Sequence, residues 1–229
     1  MSTAGRLAEP QVEAMFDRIA SVYDLMNSVM TAGMHQRWRE RAVDLANVRP
    51  GSRALDVATG TGDLAIALRE RGARVVGADF AEKMLEIARR KAPDIDFRSG
   101  NALALEFGDN EFDAATVGFG ARNFDDLDRG LSEMARVVKP GGRVVVLEIT
   151  TPQRPPLSWF FNVWFDHVVP LIGRVAGDPD AYEYLPNSVK RFPGPPDLGG
   201  RMVAAGMTDV RWILTAGGII AIHSGTVTA

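Results

Sequence analysis

Leu55-Asp56-Val57-Ala58-Thr59-Gly60-Thr61-Gly62-Asp63-Leu64 is the stretch whose reading decides the fold. It follows a short apolar run that starts at Arg53 and reads as a strand, and it leads into a helix beginning near Asp63. Between the two the chain must turn tightly, and Gly60 and Gly62 supply residues without a Cβ where a backbone comes close to a ligand. A strand, a glycine cradle and a helix in that order predict the first unit of an α/β sheet with a binding site at the strand's carboxyl end.

Outward from this turn the same rhythm continues. The pattern predicts strands over 53–57, 74–79, 95–98, 112–117 and 143–149, with helices over 63–71, 81–91 and 125–137. Alternation of this kind requires right-handed crossovers and a mostly parallel, buried sheet. Gly72, Pro93 and Lys139-Pro140-Gly141-Gly142 punctuate it as turns. Towards the carboxyl end the rhythm changes to a helix near 197–205 and strands over 208–214 and 218–223. Gly217-Gly218 joins those two strands as a hairpin, so one edge strand is expected to run antiparallel. Before the sheet, Val12, Met15, Phe16, Ile19 and Val22 recur at helical spacing, and residues 1–50 read as a helical cap. The organisation expected is a single domain, with that cap, a core over 51–229 and a lid insertion around 152–196.

The glycine turn by itself leaves the ligand open. Gly60-Thr61-Gly62-Asp63-Leu64-Ala65 fits the dinucleotide pattern of two glycines and a third small residue, which keeps a nicotinamide-dependent reductase in view. Asp56 and Asp63, however, flank the turn with carboxylates that would repel a pyrophosphate. They suit a ligand bearing an ammonium and a positive sulfur, and S-adenosylmethionine carries both. Asp79 ends the next predicted strand, where a carboxylate accepts both hydroxyls of a ribose. That residue serves either cofactor.

Composition narrows the partners. At 229 residues the chain is long enough to bury a core without staples, and its formal charge of −3 with no basic stripe argues against nucleic acid. It has no cysteine, which excludes disulfides, thiolate metal sites and cysteine nucleophiles. His35, His167 and His223 show no metal-ligand spacing, so no metal is expected. The longest apolar stretch, 157–172, is short for a bilayer span and is broken by Asp166, His167 and Pro170. A cytoplasmic protein able to touch the inner face of the membrane is expected, with a homodimer as a further expectation.

Several segments together resemble the menaquinone/ubiquinone-biosynthesis C-methyltransferases. They include Tyr23-Asp24-Leu25-Met26-Asn27, the glycine turn, Phe119-Gly120-Ala121-Arg122-Asn123, Tyr182-Glu183-Tyr184-Leu185 and Gly218-Ile219-Ile220-Ala221-Ile222-His223. The glycine turn and Lys139-Pro140-Gly141-Gly142 mark class I methyltransferases generally, and the segments at Tyr23–Asn27, Phe119–Asn123 and Tyr182–Leu185 are narrower. The resemblance implies a Rossmann-like, mostly parallel seven-stranded sheet that binds S-adenosylmethionine and methylates a ring carbon of a polyprenylated quinol. By position it implies cofactor contacts at Thr61 with Gly60 and Gly62, at Asp79, at Asn101 and Ala102, and at Gly118. Many members of the family have a serine where this chain has Gly118, so there only the backbone is available.

Methylating a ring carbon needs a reduced, partly deprotonated quinol, and the protein's task is orientation and electrostatics. Arg122 and Asn123 follow the fourth strand, where open α/β sheets place ligands, and are read as holding the phenolate. Arginine stays protonated, so Arg122 is assigned charge stabilisation. Tyr23 and Asp24 are read as closing over the quinol and relaying its proton. Blander alternatives stand beside these roles: Arg122 pairing with Asp125 or Asp126 at the surface, Tyr23 as a core aromatic, and His223 as a buried histidine rather than a proton acceptor. The aromatic stretch 159–165 is read either as lid packing or as a wall for a polyprenyl tail, with Tyr182 and Tyr184 near the same entrance. The ring itself is left open between demethylmenaquinol and a methoxy-polyprenyl benzoquinol. A non-catalytic module that only binds S-adenosylmethionine is the third reading.

Overall fold

The structure, a computed structural model, describes residues 11–12, 14–20, 31, 33–152, 155–163 and 179–228. After a helical stretch at 14–20, the elements are α1 (His35–Ala46), β1 (Arg53–Val57), α2 (Asp63–Glu70), β2 (Arg74–Asp79), α3 (Glu82–Lys91), β3 (Asp96–Ser99) and β4 (Phe112–Gly118). A 3₁₀ turn at Ala121–Asn123 leads to α4 (Leu127–Val137) and β5 (Val138–Ile149). The remainder comprises α5 (Leu157–Val163), α6 (Pro179–Arg191), α7 (Pro195–Ala204), β6 (Met207–Thr215) and β7 (Ile220–Val227).

These strands form one seven-stranded sheet in the order β3-β2-β1-β4-β5-β7-β6. The first five strands in the chain are parallel. β7 pairs antiparallel with β5, and β6 antiparallel with β7. The antiparallel strand expected at the edge is thus β7, one place in, and β6 takes the edge itself. The reversal between them is a tight 3₁₀ turn in which Ala216, Gly217 and Gly218 all take positive φ, at 51°, 68° and 91°. Two of the three are glycine, the residue that tolerates that region. Lys139–Gly142 are drawn into β5 but bulge from it: Val138 pairs with Phe112, and the next pairing is Arg143 with Ala114. The expected turn is there as an irregularity inside a strand. Gly142 must be bare, since a Cβ would stand 2.6 Å from the Asp113 carbonyl.

Alternation along the strands divides the core into two layers. Ala54, Val75, Ala114, Val145 and Leu147 face one side. Leu55, Val57, Val76, Ala115, Val117, Val144 and Val146 face the other. Both faces are apolar, as strands buried under helices require. α1 belongs to the first layer: its Trp38, Ala42, Val43 and Ala46 join Leu64, Leu68 and Ile222 in one buried cluster. This part of the expected cap is therefore a structural layer of the sheet. α4 and α7 cover the other face through Leu131, Met134, Leu198 and Met202. α4 is started by Asp126, whose carboxylate accepts the Arg129 N–H at 3.0 Å.

Candidate active site

The order of strands reverses between β1 and β4, and that switch point is where open α/β sheets leave a crevice. The glycine turn wraps it. Ala58, Gly60 and Gly62 have φ of 50°, 56° and 84°, and the Thr59 N–H donates to the Ala78 carbonyl at 3.0 Å, which ties the turn to β2. Gly62 is needed for a second reason: a Cβ would stand 2.9 Å from the Phe97 ring. The same ring stands 2.6 Å from where a Cβ of Gly77 would be. Phe97 of β3 thus fills the space that two glycines vacate. Gly60 faces open space instead, so its missing Cβ widens the way to the turn.

In front of the turn lies a cavity open to solvent, placed where open α/β sheets bind their ligands. Of the residues expected to bind a cofactor, Asp56, Gly60, Thr61, Asp79 and Gly118 line it, and so does Asn123 from the expected catalytic set. Gly118 offers bare backbone; a Cβ there would stand 3.1 Å from Leu64 Cδ2. Gly62, Asn101, Ala102 and Arg122 are not among the lining residues. Gly62 shapes the turn from behind, and Asn101 folds its Oδ1 back to accept the Leu103 N–H at 2.7 Å. Tyr23 and Asp24 lie outside the described residues, as do Trp164 and Phe165 of the aromatic stretch and the side chain of Tyr182. Sequence reading missed Phe16, Arg39, Phe80, Met84 and Phe119 in the lining. Phe16 carried a signal as one of the helical-spaced apolar residues of the cap, and Phe119 as the first residue of the Phe119–Asn123 segment.

Electrostatically the cavity is built on two buried carboxylates. Asp56 is 1 % exposed and accepts from the hydroxyls of Thr59 and Thr116, each at 2.6 Å. Asp79 accepts the Gly60 N–H at 2.7 Å and the Ala81 N–H at 2.9 Å, one on each oxygen. Burial pushes both pKa values up from 3.8 to about 6, against the lowering by those hydrogen bonds. The Asp79 carboxylate keeps acceptor capacity for a ribose hydroxyl beside these backbone donors. Asp63, read from the sequence as a further negative charge beside the turn, is instead held by Arg39 at 2.9 Å and by Lys91. Its charge is answered, so the case against a pyrophosphate rests on Asp56. A cationic nucleoside with a free ribose diol suits this lining, flanked as it is by the apolar Phe80 and Met84.

Arg122 is held inside the protein. Its Nη1 lies 2.7 Å from Glu148 Oε1 and also donates to the Phe119 carbonyl, while its backbone N–H reaches Glu148 Oε2 at 3.2 Å. The two side chains are 7 % and 1 % exposed, a buried pairing that was not among the options the sequence offered. Glu148 lies one residue before the end of β5, next to β4, so the pair clamps the 3₁₀ turn that presents Asn123 to the cavity. Asn123 Oδ1 accepts from the Tyr184 hydroxyl of α6 at 3.1 Å. His223 is the buried histidine of the blander reading: its Nε2 lies 2.9 Å from the Pro195 carbonyl, and its ring stacks on Trp212 with centroids 5.7 Å apart. Burial lowers its pKa below the usual 6.5, and it does not reach the cavity lining.

Comparison with known proteins places this architecture. A structure from Thermotoga maritima, described as an S-adenosylmethionine-dependent methyltransferase and possible histamine N-methyltransferase, superposes with a TM-score of 0.67 at 21 % identity, covering 93 % of this chain and 98 % of that one. At that identity it speaks for the fold alone. Closer in sequence, the chain is 50 % identical over 218 residues to a demethylmenaquinone methyltransferase of Thermus thermophilus, covering 92 % of this chain and 99 % of the relative. It is 41 % identical over 228 residues to the ubiquinone/menaquinone biosynthesis C-methyltransferase UbiE of Serratia proteamaculans, covering 95 % and 90 %. With the family model matching residues 5–227, nearly the whole chain and all of the cavity, the protein belongs to the ubiE/COQ5 methyltransferase family.

Proposed function

We propose that the protein transfers the methyl group of S-adenosylmethionine to a ring carbon of a polyprenylated quinol, converting demethylmenaquinol to menaquinol. The observation that carries this reading is the 50 % identity, over almost the full length of both chains, to a protein named for the demethylmenaquinone reaction. The cavity agrees with it chemically. Bound S-adenosylmethionine would supply an electrophilic methyl on a sulfonium, and Asp56 and Asp79 are the groups that would attract its positive charge and hold its ribose. Thr61 with Gly60 and Gly62, the backbone of Gly118, and Asn101 with Ala102 complete the proposed cofactor set.

On the acceptor side, the ring carbon gains the methyl as the sulfonium's carbon–sulfur bond breaks, and the ring's C–H proton leaves. In our reading Asn123 is the donor nearest the developing phenolate, since it faces the cavity while Tyr184 occupies its Oδ1. Arg122 acts from behind that turn, its charge partly offset by Glu148. Tyr23 and Asp24 close over the quinol and relay its proton. A segment around 152–196 forms the lid, and its apolar residues receive the prenyl tail, where each buried CH₂ contributes about 0.8 kcal/mol. No helix among the described residues is long and apolar enough to cross a membrane. In this reading the enzyme meets its lipid substrate at the inner face of the membrane, with a homodimer as a further part of the proposal.

A second acceptor is favoured by the relative from Serratia proteamaculans, whose name joins both quinones. Incubation with methyl-labelled S-adenosylmethionine and chemically reduced, short-tailed analogues of the naphthoquinol and of the methoxy-benzoquinol separates the cases. Label in the naphthoquinol is expected. Label in both extends the substrate range, and label in neither, with the methyl donor shown to bind, overturns the proposal.

A further inference from the structure

The cavity holds an imbalance that the cofactor set leaves unaddressed. Asp56, Asp63 and Asp79 all line it, and among the described residues Arg39 is the only Lys, Arg or His that does. Arg39 comes from α1, a helix with no part in the glycine turn, and its side chain is only 12 % exposed. A long cationic side chain buried against a ligand cavity loses hydration and rotamer freedom. Its bond to Asp63 answers part of that cost. Asp63, though, has a second cation: Lys91 of α3 bonds its other oxygen, Oδ1, while Arg39 takes Oδ2. Asp63 therefore does not depend on Arg39 for neutralisation.

We propose that Arg39 is the anchor for a carboxylate on the bound nucleoside, and that Asp63 and Lys91 form the rest that holds its guanidinium in place before the ligand arrives. This deepens the proposed function, on which it rests: S-adenosylmethionine carries an α-carboxylate as well as an ammonium and a sulfonium. A lining with carboxylates alone would attract the two positive groups and repel the negative one. With Arg39 in the wall the ligand's carboxylate gains a charge-assisted, geometrically specific partner. Lys91 then keeps Asp63 paired while Arg39 turns part of its donor fork to the ligand. Arginine suits this double task because it has five donors, and one carboxylate does not exhaust them.

The test compares two ligands that differ in this group alone: S-adenosylmethionine and its decarboxylated form, which keeps the sulfonium, the ammonium and the ribose. Equilibrium binding to the wild-type protein is expected to favour the carboxylated ligand by about tenfold to a hundredfold, the range for a hydrogen bond to a charged group. Arg39→Gln is expected to erase that preference by weakening only the carboxylated ligand, leaving the decarboxylated one within about twofold. Binding of the decarboxylated ligand also reports that the variant is folded. Equal weakening of both ligands, or of neither, overturns the inference while leaving the methyl-donor reading in place. Failure of the wild-type protein to bind either ligand overturns both. If Arg39→Gln does not fold, Arg39→Lys decides: a retained but smaller preference for the carboxylated ligand supports the anchor, and an unchanged preference overturns it.

Discussion

At the scale of single residues the site works through carboxylates held where charge is costly. The shift of Asp56 from 3.8 to about 6 by burial corresponds to about 3 kcal/mol against its ionised form in the ligand-free protein. A raised carboxylate pKa means that the penalty is complete above about 6 and is relieved as pH falls towards 3.8. A cationic ligand inverts the balance, because it interacts with the ionised form. Affinity for S-adenosylmethionine is therefore expected to fall as pH drops from 7 to 5, and isothermal titration across that range would check it. Asp56→Asn should flatten the profile, bind more weakly at pH 7, and melt at a higher temperature than the wild type without ligand. Arg122 and Glu148 make a different kind of pair. Both are buried, so removing one strands the other, at a cost of about 3–5 kcal/mol. Glu148→Ala is expected to lower the denaturation midpoint strongly, and the double variant Arg122→Met with Glu148→Leu to recover much of the loss in the same urea titration.

Secondary-structure elements were legible where local chemistry decides them, and less so where distant packing does. The boundaries of β1, β2 and the glycine turn follow from apolar runs ending on Asp56 and Asp79 with glycines between. The position of β7 inside the edge depends on which strand β5 accepts as its neighbour, and no local period records that choice. Lys139–Gly142 read as a turn because Pro and Gly mark one, yet β5 already begins at Val138 through its pairing with Phe112. In the site, Asp56 and Asp79, which line the cavity, were visible from strand ends, and Gly118 only through the family resemblance. Arg39 was not, since it sits on a helix among other charged residues and only the packing of α1 brings it to the cavity. Glu148 was invisible for a similar reason: it lies near the end of a strand, but its partner comes from the turn that follows the neighbouring one. Phe97 shows the same dependence between elements. It fills the room left by Gly62 and Gly77, so Gly77→Ala should destabilise by about 1–3 kcal/mol through overpacking. Adding Phe97→Leu should return part of that in a thermal melt; no rescue would mean that the glycine answers to something other than this ring.

For the molecule as a whole, the sheet and α1 stand or fall together. Trp38, Ala42, Val43 and Ala46 share a cluster with residues of α2, β5 and β7, so a chain shortened to begin after residue 47 should lose its cooperative melt by circular dichroism, although the glycine turn is intact. A mere cover would come away without that loss. Every described residue that lines the cavity lies at or before Asn123, while β5, β6, β7 and the segment between β5 and α7 follow it in the chain. The described wall of the cavity thus comes from the first part of the sequence, and the lid proposed around 152–196 from the second. Chimeras between relatives, exchanging residues 151–194, should then change which prenyl tail is accepted and leave affinity for the methyl donor where it was.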